Sequence, residues 1–149
     1  MESHDEKQIF TIGHSNRSFE EFLKILKHYD TEILIDVRRF PRSRRNPHFN
    51  GELLEGKLKE SNIQYFWIES LGGFRGGDYE EYSKTKDFEE GLTALMEIAE
   101  KKRAAVMCAE ILWFRCHRSF IASALDKRKW RVIHIYDESR ADIHKVLIR

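Results

Sequence analysis

The 149-residue sequence has only two cysteines, Cys108 and Cys116, and only two prolines, Pro41 and Pro47. Two cysteines cannot build the disulfide framework of a small secreted fold, so the pattern predicts a reducing, cytoplasmic setting. No apolar h-region precedes a small-residue cleavage site near Met1. No stretch is apolar enough to cross a bilayer, so no membrane partner is expected. A glycine-rich dinucleotide fingerprint is missing after the first apolar run, and Gly72-Gly73-Phe74-Arg75-Gly76-Gly77 has no Lys-Ser/Thr behind it. A Rossmann dinucleotide site and a P-loop are therefore disfavoured. Net charge is scarce as well, at +1, which argues against indiscriminate polyanion binding.

What is present is a chain with 41% hydrophobic and 34% charged residues, enough to bury a core as one domain without cross-links. The near-neutrality is a cancellation: residues 1–50 sum to +1, residues 51–100 to −7 and residues 101–149 to +7. Arg38, Arg39, Arg42, Arg44 and Arg45 fall within eight positions.

Residues 1–7 read as a disordered tail and residues 8–149 as a single α/β domain. Ile9–Ile12, Ile33–Val37, Ile63–Ile68, Ala104–Cys108 and Arg131–Tyr136 read as strands, the second and fourth as continuous apolar runs of the kind buried on both faces. Helical spacing links Phe19, Phe22, Leu23 and Leu26 behind a Ser18/Glu21 capping box. A modest helix spans Glu52–Glu60, a strong one follows a cap at Asp87, and another begins at Cys116 or His117. Strands alternating with helices, without Asn-Gly hairpins, predict an open, mostly parallel five-stranded sheet, Rossmann-like and three-layered, with helices on both faces and right-handed crossovers.

In such a sheet ligands bind outside the carboxyl ends of the strands. The residues there are His14 and Ser15, Asp36 and Arg38, Gly72 and Gly73, then Cys108 and Glu110, with Cys116, His117 and Arg118 on the following loop. Cys116-His117-Arg118-Ser119 is the densest signal, because a helix N-terminus and adjacent cationic side chains lower a thiol pKa and attract anions. Cys108 is an equally good thiol by position; the alternative is that each cysteine is simply buried core. His14 is a candidate acid or base, or a loop hydrogen-bonder. Cys108, Cys116, His117 and His14 do not have finger spacing, and neighbours at a helix start point about a hundred degrees apart. No metal site is assigned and no cofactor is named. His28, His134 and His144 carry no comparable context and read as surface or strand residues.

Strand, cysteine, loop, then Arg-Ser opening a helix is similar in outline to rhodanese-like sulfurtransferases and cysteine phosphatases, which use a short loop between nucleophile and arginine. Here six residues separate Cys108 from Arg115 and nine separate it from Arg118. The ordered set Thr11-Ile12-Gly13-His14-Ser15, Asp36-Val37-Arg38, Pro41-x-Ser43 with Asn46-Pro47-x-Phe49, Leu71-Gly72-Gly73, Cys108-Ala109-Glu110 and Cys116-His117-Arg118 resembles the DUF 488 family, a domain family of unknown function. The resemblance runs from about Phe10 to Asp137 and implies a compact single-domain α/β protein without supplying a reaction.

The residues point to an enzyme or binding domain for a small anionic or phosphorylated compound. His14, Cys108, Glu110, Cys116 and His117 are the catalytic candidates, and Ser15, Asp36, Arg38, Gly72, Gly73 and Arg118 the binding candidates. The alternative is a nucleic-acid-associated protein that uses Arg42, Arg44 and Arg45, with Phe40 or Phe49 as a stacking platform. A lid over the pocket and an interaction module are the remaining options for this loop and domain. A monomer or homodimer is expected.

Overall fold

The computed structural model describes residues 7–73 and 78–145. The expected tail, apart from Lys7, and residues 74–77 of the second glycine pair lie outside the described residues. Eleven elements follow one another: β1 (Lys7–Gly13), α1 (Phe19–His28), β2 (Ile33–Asp36), α2 (Gly51–Glu60), β3 (Gln64–Trp67), α3 (Tyr79–Tyr82), α4 (Lys86–Ala99), β4 (Ala104–Cys108), α5 (Arg118–Lys127), β5 (Trp130–Asp137) and β6 (Arg140–Ile143). They build one sheet in the order β3-β2-β4-β1-β5-β6. The first five strands run parallel, and β6 pairs antiparallel with β5.

The sheet thus has six strands where five were expected. β6 follows a tight turn in which the Asp137 carboxylate accepts from the Ser139 N–H and hydroxyl. It lies at an edge with most of its residues exposed, so it carries no alternating apolar signature. Thr85, not Asp87, caps α4: its hydroxyl accepts from Phe88 N–H one turn in, while Asp87 sits in the first turn facing the helix dipole. The Ser18 capping box forms as expected, with both reciprocal hydrogen bonds present.

Alternation along the strands sorts the core into two layers. Ile9, Ile35, Val37, Val106, Cys108 and Val132 face Leu92, Leu95, Ile121 and Leu125 of α4 and α5. Phe10, Ile12, Leu34, Ala105, Met107 and Ile135 face Phe22, Leu26, Leu54 and Leu58 of α1 and α2. β2 and β4 are buried along their whole length, which is why they read as unbroken apolar runs. The carboxyl ends of β1, β2, β3 and β4 finish side by side along one edge, in register from Gly13 opposite Cys108 and Asp36 opposite Met107 to Trp67 opposite Asp36.

At that edge the chain after β4 crosses directly over Gly13. A Cβ on Gly13 would overlap the Glu110 carbonyl and the Ile111 Cα. Gly56, exposed in the middle of α2, has open space where a Cβ would go. Urea denaturation is expected to show opposite signs at the two sites. Gly13→Ala should lose about 3 kcal/mol, since rigid backbone must move. Gly56→Ala should gain about 0.5–1 kcal/mol from helix propensity alone. A neutral Gly13→Ala would mean that the crossing chain yields freely.

Candidate functional site

Because side chains alternate across the sheet, the strand-end residues separate into two clusters, one on each face. On the α1/α2 face, Asp36 ends β2 fully buried and accepts from Arg38 backbone N–H at 3.0 Å, from Arg38 Nε at 2.9 Å and from Nη2 at 2.7 Å. Tyr65, next door on β3, donates its hydroxyl to the same carboxylate. Burial, reinforced by that carboxylate, drives the Tyr65 phenol far above its ordinary range, so it stays a donor. Arg38 Nη2 also donates to the Phe49 carbonyl at 2.8 Å. Its Nη1 lies 3.3 Å from His14 Nε2.

His14 Nδ1 sits 2.8 Å from the Ser15 carbonyl, which can only accept, so Nδ1 carries the proton and Nε2 presents a lone pair to Arg38. The ring stacks on Phe49 at 4.4 Å. Burial, against the raising effect of the Ser15 bond and with the help of the Arg38 charge, lowers the His14 pKa to about 4. His14 is therefore neutral at pH 7. Ser15, half-buried, adopts a left-handed backbone with φ of 51°, and its N–H donates to the Ala109 carbonyl.

The polar stretch between β2 and α2 is tied down rather than free. Ser43 N–H donates to Asn50 Oδ1 at 2.7 Å, Gly51 N–H to the Pro41 carbonyl at 2.8 Å, and His48 Nε2 reaches the Arg17 carbonyl at 2.7 Å. Arg42, Arg44 and Arg45 project from it exposed, and Phe40 is 66% exposed beneath the Arg39 guanidinium.

On the α4/α5 face the two sulfurs lie 3.1 Å apart. Cys108 is 1% exposed at the tip of β4, whereas Cys116 is only partly buried. Arg118 backbone N–H, the first of α5, donates to Cys116 Sγ at 3.3 Å. Either sulfur can donate in this contact, and the Cys108 thiol also reaches the Glu110 carbonyl at 3.6 Å. The two sulfurs are shifted in opposite directions. Hydrogen bonding from Cys108 holds Cys116 well below the ordinary thiol range despite its burial, helped by His117 and Arg118; burial and the same bond push Cys108 up.

His117 donates from Nε2 to the Val37 carbonyl at 2.7 Å, leaving Nδ1 as the lone-pair nitrogen beside Gly73. Gly72 is pressed against the backbone of Arg39 so closely that no Cβ fits. The Arg118 guanidinium is 1% exposed and donates to the Glu110 carbonyl at 2.8 Å, the Ile111 carbonyl at 3.0 Å and Thr11 Oγ1 at 3.2 Å. Its buried Nε has no partner. The Glu110 carboxylate, by contrast, is exposed and accepts from Leu112 N–H, so it is the Glu110 carbonyl, not its carboxylate, that faces the buried cluster.

Two histidines that read as surface or strand residues join this network. His134 and His144 are 1% and 7% exposed. A guanidinium only donates, so Thr11 Oγ1 accepts from Arg118; the same hydroxyl lies 2.6 Å from His134 Nδ1, His134 Nε2 lies 2.9 Å from His144 Nδ1, and His144 Nε2 lies 3.0 Å from Ser123 Oγ, a continuous hydrogen-bonded chain. Trp113 stacks flat on His134 at 4.2 Å. The available signal was parity, since His134 shares the inward face of β5 with Val132. His144 lies past β6 and had no such signal. His28 is exposed on α1, as a surface reading expects.

Among the described residues, no three His, Cys, Asp or Glu side chains are placed to share a metal ion, and no helix is long and apolar enough to cross a membrane. The molecule is thus an α/β protein whose strand ends gather a dithiol, two buried guanidinium groups and neutral imidazoles. The family described as domain of unknown function DUF488 matches residues 18–125, and the chain belongs to it. The match begins at the α1 cap and stops within α5, taking in Asp36, Arg38, Gly72, Gly73, Cys108, Glu110, Cys116, His117 and Arg118. His14, Ser15, His134 and His144 lie outside it. No curated protein and no solved structure matches the chain significantly.

Burial lowers the pKa of His134 to about 2, aided by His144 and Arg118, and that of His144 also falls through burial. The unfolded chain binds protons at these imidazoles and at His14 below about pH 6.5, where the folded chain does not. Stability is therefore undiminished above pH 6.5 and is lost as pH falls, by up to about 1.4 kcal/mol per pH unit for each imidazole. Urea titrations at pH 7, 6 and 5 should show this decline, and His134→Asn should reduce the slope by about one proton. A flat profile would mean that the imidazoles reach water.

Proposed function

We propose that the protein is an enzyme, a transferase or hydrolase, in which Cys116 is a thiolate nucleophile toward a small anionic, for example phosphorylated, substrate at the carboxyl edge of the sheet. The observation that carries this reading is the pair of contacts at Cys116 Sγ, the Cys108 sulfur at 3.1 Å and the donating Arg118 N–H at 3.3 Å. Thiolates are the nucleophilic form, and a helix start with a nearby cation is a recurrent way to hold one. In the reaction, sulfur attacks the electrophilic centre, the leaving group departs with a proton from solvent, and His117 Nδ1 accepts the proton of the water or acceptor that then releases the bound group. Gly72 and Gly73 form the backbone rim beside His117, with Ser15 on the opposite side. Arg118 and the Asp36–Arg38 pair supply positive potential from behind, and neutral His14 and the Glu110 carbonyl position these guanidinium groups. A reducing cytoplasm would keep the pair as dithiol, in a monomer or homodimer.

Alkylation of the reduced protein with iodoacetamide tests this. Cys116 is expected to react at pH 6 at least about tenfold faster than a free thiol, whose thiolate fraction there is small. Cys108→Ala should slow it by removing the donor. Millimolar inorganic phosphate should protect Cys116. A rate that rises only near pH 8.5 would overturn the thiolate, and indifference to phosphate would overturn the anionic substrate.

A second reading rests on a different observation: Arg42, Arg44 and Arg45 and the ring of Phe40 are all exposed on the loop after β2. Such a face suits single-stranded nucleic acid, through phosphate contacts and base stacking. Binding of a single-stranded RNA oligonucleotide should then weaken steeply with salt, and replacing the three arginines by alanine should flatten the log–log slope by about two. Salt-independent or absent binding of both RNA and DNA removes this reading.

A further inference from the structure

We infer that Cys108 is a resolving thiol: with Cys116 it forms an internal dithiol–disulfide couple that a small hydroperoxide closes and a thiol reductant reopens. The sulfurs are 3.1 Å apart, so bond formation needs an approach of only about 1 Å to the disulfide length. The two partners are unequally held. Cys108 is fixed in β4, whose neighbours β1 and β2 hydrogen-bond to it on either side. Cys116 lies between a short turn (Trp113–Arg115) and α5, in extended backbone with φ of −141°, so the movement falls to it. Exposure orders the steps, because the partly buried sulfur meets solvent and the buried one does not.

The chemistry balances without a metal or cofactor. Cys116 thiolate attacks the distal oxygen of the hydroperoxide, the O–O bond breaks, and the alcohol or water leaves with a proton, so that sulfur is oxidised to sulfenic acid and the peroxide reduced. Cys108 sulfur then attacks the sulfenic sulfur, the S–S bond forms, the S–OH bond breaks, and water departs with the Cys108 proton. Two reductant thiols return both electrons and both protons. Closure uses the thiolate electron pair of Cys116 in the S–S bond, so the nucleophile is withdrawn reversibly and shielded from sulfinic acid. This inference rests on the thiolate assignment made above, and goes beyond it in giving the second cysteine a chemical task.

The test uses the whole protein, reduced and then treated with one equivalent of hydrogen peroxide. Wild type is expected to lose both titratable thiols and two hydrogen masses as a monomer, and to recover both on dithiothreitol treatment. Cys108→Ser should instead gain one oxygen mass, give a dimedone adduct at Cys116 and proceed to sulfinic acid with excess peroxide. Cys116→Ser should leave Cys108 reduced over the same interval. Wild type that accumulates oxygen on Cys116 while Cys108 stays free, or that bridges only between chains, overturns the inference. If Cys116 alkylates rapidly at pH 6 yet no internal bridge forms, only the resolving role fails; if Cys116 is slow in alkylation as well, the nucleophile reading fails with it.

Discussion

The buried Arg118 guanidinium is the interaction on which the carboxyl edge depends. Removing a guanidinium from water costs several kcal/mol unless its donors are satisfied in place. Here two carbonyls of the chain after β4 and a hydroxyl of β1 do most of that. The same residue opens α5 and gives its backbone N–H to Cys116. One residue therefore ties together the crossing chain over Gly13, the start of α5, Cys116 and, through Thr11, the histidine chain. Loss of its side chain would take a donor from the Glu110 and Ile111 carbonyls and from Thr11, each at a cost of up to about 1–3 kcal/mol.

Asp36 and Arg38 do the corresponding work on the other face. A buried ion pair gains little net stability over an apolar substitute, because desolvation consumes most of the attraction. Its effect is geometric: with Asp36 saturated by Arg38 and Tyr65, the remaining Arg38 donors can only turn to Phe49 and His14, which sets the path of the long loop. The two clusters meet through the backbone between them, where His14 N–H donates to the Cys108 carbonyl and His117 reaches the Val37 carbonyl.

How much of this the sequence disclosed follows from the range of the forces involved. The Ser18 capping box, the apolar runs of β2 and β4 and the grouping of His14, Asp36, Arg38, Cys108 and Arg118 at one edge depend on local pattern and on alternating α/β order, and both are written in the chain. β6 was invisible because an edge strand of mostly exposed residues buries too little to need an apolar alternation. Thr85 competed with Asp87 for one cap, and which oxygen reaches the third N–H is decided by backbone geometry, not composition. Which face each strand-end residue takes, and that Arg118 binds carbonyls rather than solvent, depend on contacts more than a hundred residues apart, such as Arg118 with Thr11. No local pattern encodes these.

The two cysteines show why position alone misleads. In the strand–cysteine–loop–arginine outline, the strand-end residue Cys108 is the natural nucleophile. The nine residues between it and Arg118 instead bring a second sulfur, Cys116, to the helix start, and a helix N–H can stabilise only the sulfur it touches. Burial raises both thiols; at Cys116 the hydrogen bonds and nearby charges outweigh it, whereas at Cys108 they do not. The longer loop sets Cys116 between Cys108 and the first N–H of α5, so the geometry of the edge belongs to the pair and to neither cysteine alone.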